Sequence, residues 1–178
     1  SLSIPNGALH FYRIAMANLP AGDTAQGTTL LTKALRLLGR LGNLDEFLHY
    51  AGIFEASIEE EEPSSKATHC ALLATLHAEL GSFEHASRLA RIVLQFSFEL
   101  TNPSSRASAL ATLAWIALSR GDQSQALLLA TEATTLYDSL GGLPEIRIPL
   151  STMAGAYYLQ GNYIQALDCE RRSLLVAR

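Results

Sequence analysis

The chain has 178 residues, 48% apolar and 17% charged, with a mean hydropathy of +0.15; that much apolar surface excludes a disordered segment and suffices for one sizeable core. Thirteen Lys and Arg against seventeen Asp and Glu leave a net charge of −4 and a pI near 5.7, the wrong sign for a surface that grips phosphate backbone, so direct nucleic-acid binding is not expected. The longest near-continuous apolar stretch, 107–118, is broken by Ser108 and Thr112 and falls short of the roughly 20 residues a bilayer span requires, so no membrane partner is expected.

Apolar spacing is helical from end to end. Leu30, Leu31, Ala34, Leu35 and Leu38 share one broad helical face, Leu72, Leu73, Leu76 and Leu80 repeat it, and no stretch alternates with a period of two. In chain order the pattern predicts helices over 5–18, 24–40, 43–58, 64–80, 82–100, 103–120, 122–139, 145–160 and 162–177. Asn102 before Pro103 forms a helix start, because proline suits the first helical position. Pro149 near the start of the eighth helix is compatible with a helix that begins there or bends there.

The junctions between these helices are periodic. Gly42, Gly81, Gly121 and Gly161 recur at spacings of 39, 40 and 40, each followed by a polar residue: Asn43, Ser82, Asp122 and Asn162. Glycine ends a helix by taking φ > 0 at little cost, and the next polar side chain can cap the following helix, so each pair reads as a tight helix–helix turn. Five residues beyond the glycines stand Phe47, Ala86, Ala126 and Ala166, and Ala8 falls one period earlier. Such a period signals a stacked-repeat architecture.

These marks resemble the tetratricopeptide repeat, whose second helix carries small residues at fixed spacing. Ala8, Tyr12 and Ala15 fit it, as do Ala86, Ala90 and Val93, and Ala126, Ala130 and Ala133. The first and fourth repeats depart from the pattern, with Phe47 and Phe54 in one and Glu170 and Ser173 in the other. Small residues at i, i+4 and i+7 let that helix approach its neighbours closely. The resemblance implies an all-α fold, a right-handed superhelical solenoid of four helix pairs plus an N-terminal half repeat, in a single domain spanning 1–178. The half repeat covers 1–19, and the repeats cover about 24–58, 64–100, 103–139 and 145–178. The period near 40 is similar to that of the C-terminal arrays of bacterial signalling ATPases and transcription activators of the maltose-regulon type. On that reading the segment begins in mid-repeat, as part of a longer array, and its uncapped ends are candidates for self-association.

In tetratricopeptide arrays the first helix of each pair lines a concave groove. Counting back from each glycine places Thr32, Arg36 and Arg40 there, then Thr68, Thr75 and Glu79, then Ser108, Trp115 and Ser119, then Ser151, Tyr158 and Leu159. Arginines at one end with Trp115 and Tyr158 toward the other would hold an extended or helical segment by aromatic anchors and a charged clamp. The competing reading packs both rings between neighbouring helices. Chaperone-tail binders of this family use Lys and Asn in the groove; the only lysines, Lys33 and Lys66, fall elsewhere.

No metal site is expected: His69 and His77 differ by about 80° and more than two turns on a helix, and Cys70 falls at a core position. The acidic run Glu59–Glu62 reads as a solvated turn. There is no GxSxG, HExxH or phosphate-binding loop, so neither enzymatic activity nor a cofactor is expected. Two cysteines without CxxC spacing suit a reducing compartment, so the expected location is cytoplasmic. The expected function is a non-catalytic interaction module gripping a protein segment or an adjacent domain; the alternative is a sensor array binding a small inducer.

Overall fold

The computed structural model describes residues 24–96 and 103–176. The expected half repeat over 1–19, with Ala8, lies outside them, as do residues 97–100 of the fifth predicted helix. Eight α-helices and no strand occur among the described residues: α1 Thr24–Leu41, α2 Leu44–Ser57, α3 Pro63–Glu79, α4 Phe83–Phe96, α5 Pro103–Ser119, α6 Gln123–Ser139, α7 Arg147–Leu159 and α8 Tyr163–Val176. The fold is an all-α helical-repeat solenoid. The chain divides into two compact units, Ser1–Glu61 and Glu62–Arg178.

The same turn closes all four hairpins. Gly81 takes φ +76°, its N–H donates to the Ala78 carbonyl at 2.9 Å, and the Ser82 N–H reaches the His77 carbonyl at 2.8 Å. This is the Schellman arrangement, which satisfies the carbonyls a helix end leaves open. Gly42, Gly121 and Gly161 repeat it at φ of +67°, +84° and +79°. At two of these turns the residue after the glycine serves twice. Asp122 closes α5 through its N–H, and its Oδ1 accepts from the Gln125 N–H at 3.0 Å to start α6. Asn43 caps α2 in the same way, accepting from the Glu46 N–H at 3.4 Å. The first helical bond comes from the residue five past each glycine, as from Ala126 N–H to the Asp122 carbonyl at 3.0 Å. That bond fixes the phase at which the small residue enters the seam.

In the unit 1–61, α1 packs on α2. Leu31, Ala34, Leu35 and Leu38 are buried on α1, as are Phe47, Ala51 and Phe54 on α2.

The unit 62–178 is a stack of three hairpins. First helices lie in a row, α3 on α5 and α5 on α7, and each second helix wedges against the following first helix, α4 on α5 and α6 on α7. Helix α5 is therefore contacted from several sides, and its buried set, including Ala107, Ala109, Ala111, Ala114 and Ile116, covers nearly every face. Every residue from 104 to 118 is buried or half-buried, so the helix has no fully exposed side and shows weak amphipathicity. By contrast α4 buries one stripe, Ala86, Leu89, Ala90 and Val93.

Volumes are matched across the row. Small Ala78 on α3 shares a cluster with the large Trp115 on α5. One repeat later the sizes swap: a Cβ built on Gly155 of α7 would sit 3.0 Å from Leu118 Cδ2 on α5.

The junction before α7 differs from expectation in detail. Two positive-φ glycines, Gly141 and Gly142, end α6, and Pro144–Ile146 forms a 3-10 turn that runs into α7 at Arg147. Pro149 is thus the third residue of α7, where its missing N–H would have no intrahelical partner anyway, and it neither starts nor interrupts the helix. Ile146 and Leu150 are buried with Ala107 and Tyr137, which anchors this corner.

Candidate binding groove

A concavity of about 620 Å³ opens within the unit 62–178, and its walls come from three successive first helices. Helix α3 contributes Thr75 and Glu79, one turn apart on one face. Helix α5 contributes Trp115 and Leu118. The third wall is the 3-10 turn and first half of α7: Pro144, Glu145, Arg147, Ile148, Ser151 and Thr152.

The floor is apolar and the rim is charged. Trp115 is half-buried; its indole packs against the Ala78, Ala86 and Ile116 cluster beside Phe83 while also lining the cavity. The two readings of this residue are therefore not exclusive. Glu79, Glu145 and Arg147 are exposed at the edge, and among the described residues none of the three lies within ion-pair distance of an opposite charge.

Behind the floor, α3 and α5 meet along a seam of hydroxyls. Thr75 Oγ1 donates to the Ala71 carbonyl at 3.1 Å and lies 3.2 Å from Thr112 Oγ1 and 3.4 Å from Ser108 Oγ. Thr68 and Ser105 meet at 3.2 Å in the same seam. Thr68 and Ser108, counted as groove positions from the spacing, are thus engaged between helices. Burial pushes the Tyr137 phenol up to about 12, against a weaker lowering influence of the Ser108 side chain and with a small further rise from Glu145.

Of the positions counted back from the glycines, the cavity brings together Thr75, Glu79, Trp115 and Ser151. Ser119 is exposed and donates its hydroxyl to the Trp115 carbonyl at 3.0 Å. Tyr158 is 64% exposed, its ring edge-on to Tyr163 at 5.6 Å, and Leu159 is 58% exposed; neither lines the cavity. Arg36 and Arg40 are exposed and Thr32 half-buried on α1, in the other unit. Spacing alone missed Glu145, Arg147 and Ile148, because they lie in and just after a 3-10 turn that, among the described residues, occurs only at this junction. The signal available for them was the Gly141-Gly142-Leu143-Pro144 sequence itself, which announces a turn unlike the rest.

Cys70 is buried in α3, and His77 stacks on His85 across the Gly81 turn with centroids 5.4 Å apart. Among the described residues no three His, Cys, Asp or Glu side chains gather as a metal-binding set, and no helix is long and apolar enough to cross a membrane.

Fold and groove together define the class: an all-helical repeat protein with a concavity along its first helices. The crystal structure of BtubC (BKLC) from P. vanneervenii is similar in fold to this chain, with a TM-score of 0.70 and 16% identity, over 97% of this chain and 70% of that one. No protein-family model and no curated protein matches the chain in sequence.

Proposed function

We propose that this chain is a non-catalytic interaction module of tetratricopeptide type, whose cavity on α3, α5 and α7 holds a protein segment or an adjacent domain. The observation that carries the reading is the convergence of Thr75, Trp115 and Ser151, at corresponding faces of three successive first helices, around one apolar concavity. A surface that combines an aromatic anchor, an apolar floor and a charged rim is the usual composition of a recognition site. The period of about 40 fits the regulatory arm of a larger bacterial signalling or transcription protein. Replacing Trp115 by Ala is expected to weaken binding of the partner segment by about 2 kcal/mol while the helical circular dichroism persists. Unchanged affinity, measured calorimetrically, removes the groove from the binding surface.

One observation favours a second reading. A cavity near 620 Å³ is within the roughly 300–1,000 Å³ range of small-molecule sites, so a small inducer is the competing occupant. A metabolite library in a thermal-shift assay separates the two, because a ligand of the folded state raises the melting temperature by mass action.

A further inference from the structure

We infer that the groove selects a segment carrying a lysine or arginine next to an apolar residue, an inference that rests on the interaction-module reading. The charges at the rim are complementary to a cation. Two carboxylates, Glu79 from α3 and Glu145 from the 3-10 turn, flank the cavity against a single cation, Arg147. Both carboxylates are solvent-exposed, and among the described residues neither is compensated by an ion pair. An incoming ammonium or guanidinium group meets two acceptors without first displacing a resident partner, whereas an incoming carboxylate meets only Arg147 and faces repulsion from both sides. The Trp115 indole lines the same cavity; an indole face attracts cations, and its body, with Leu118 and Ile148, takes up an aliphatic neighbour. The apolar residue supplies burial, and the cation supplies register and selectivity.

Trp115 is the single tryptophan of the chain, so intrinsic fluorescence reports on this cavity directly. The probes are three nonapeptides, acetylated and amidated, with identical leucine and alanine positions and with lysine, glutamine or glutamate at the remaining sites. At low ionic strength the lysine peptide is expected to shift Trp115 emission with at least tenfold higher affinity than the glutamate peptide, with the glutamine peptide between them. The Glu79→Gln/Glu145→Gln double variant should reduce that ratio below threefold; both side chains are exposed, so helicity should be retained. Arg147→Gln should strengthen lysine-peptide binding. Equal or tighter binding of the glutamate peptide, or a preference that survives the double variant, overturns the cationic selection and leaves the groove reading standing. If no peptide perturbs Trp115, the selection and the groove reading fall together.

Discussion

Tyr137 shows how one side chain couples the seam to solution conditions. Its ring is 1% exposed among Ala107, Ile146 and Leu150, and burial pushes its phenol to about 12 from the ordinary value of 10. A folded-state value above the unfolded one means that the native protein holds its proton where the unfolded chain has released it. The associated stability is complete below pH 10 and is lost as pH rises from about 10 to 12, and a difference of about two units corresponds to about 2 to 3 kcal/mol. Stability measured by urea titration should therefore fall across this window in the wild type. Tyr137→Phe, which has no phenol to titrate, should flatten that fall. An identical alkaline slope in both proteins would show that Tyr137 does not titrate with unfolding.

At the scale of the element, the hairpin turn concentrates several requirements in two residues. A Cβ at Gly121 would touch nothing within 4 Å, so the demand there is purely conformational: φ of +84° costs an ordinary L-residue about 1 to 2 kcal/mol, partly offset by a less flexible unfolded chain. Gly121→Ala should lower stability by about 1 kcal/mol, and Gly121→Asn by less, since Asn tolerates the left-handed region. Asp122→Ala should cost about 1 kcal/mol through loss of the cap on α6. Equal losses for Ala and Asn in a denaturant series would mean that φ is not the term that matters. This local chemistry is why helix limits were legible in the sequence to within one or two residues at each hairpin. The corner before α7 was less legible, because a proline in the first turn fits both a new start and a continuing helix; what decided it was the burial of Ile146 and Leu150. The groove divides along the same line. Thr75, Glu79, Trp115 and Ser151 follow from the period, whereas Glu145 and Arg147 depend on a junction that breaks it; Ser119 holds the same register as Glu79 and yet stays outside the cavity, so the period alone does not decide which positions line it.

Across the unit 62–178, stability should be graded, because each repeat is held by its neighbours rather than by one shared core. Helix α5 is packed by α3, α4, α6 and α7, whereas α8 packs on α7 and the 3-10 turn. The outer side of α8 leaves Tyr163, Ile164, Leu167, Leu174 and Leu175 between 51% and 77% exposed. Toward α6 it has the packing of Val176 against the cluster that contains Tyr137, and the Arg172–Asp138 ion pair, whose partners are each nearly half exposed; such pairs contribute under about 1 kcal/mol. Native-state hydrogen exchange should therefore find the slowest amides in α5 and α6 and exchange in α8 at least tenfold faster, through detachment of that helix alone. Asp138→Asn should accelerate α8 by up to about fivefold, the equivalent of 1 kcal/mol, without altering α5. Exchange rates in α8 that slow as protein concentration increases would mean that its apolar side is covered by another copy. Rates in α8 matching those in α5 at every concentration would show that the stack opens as one cooperative body, and the graded account would fail.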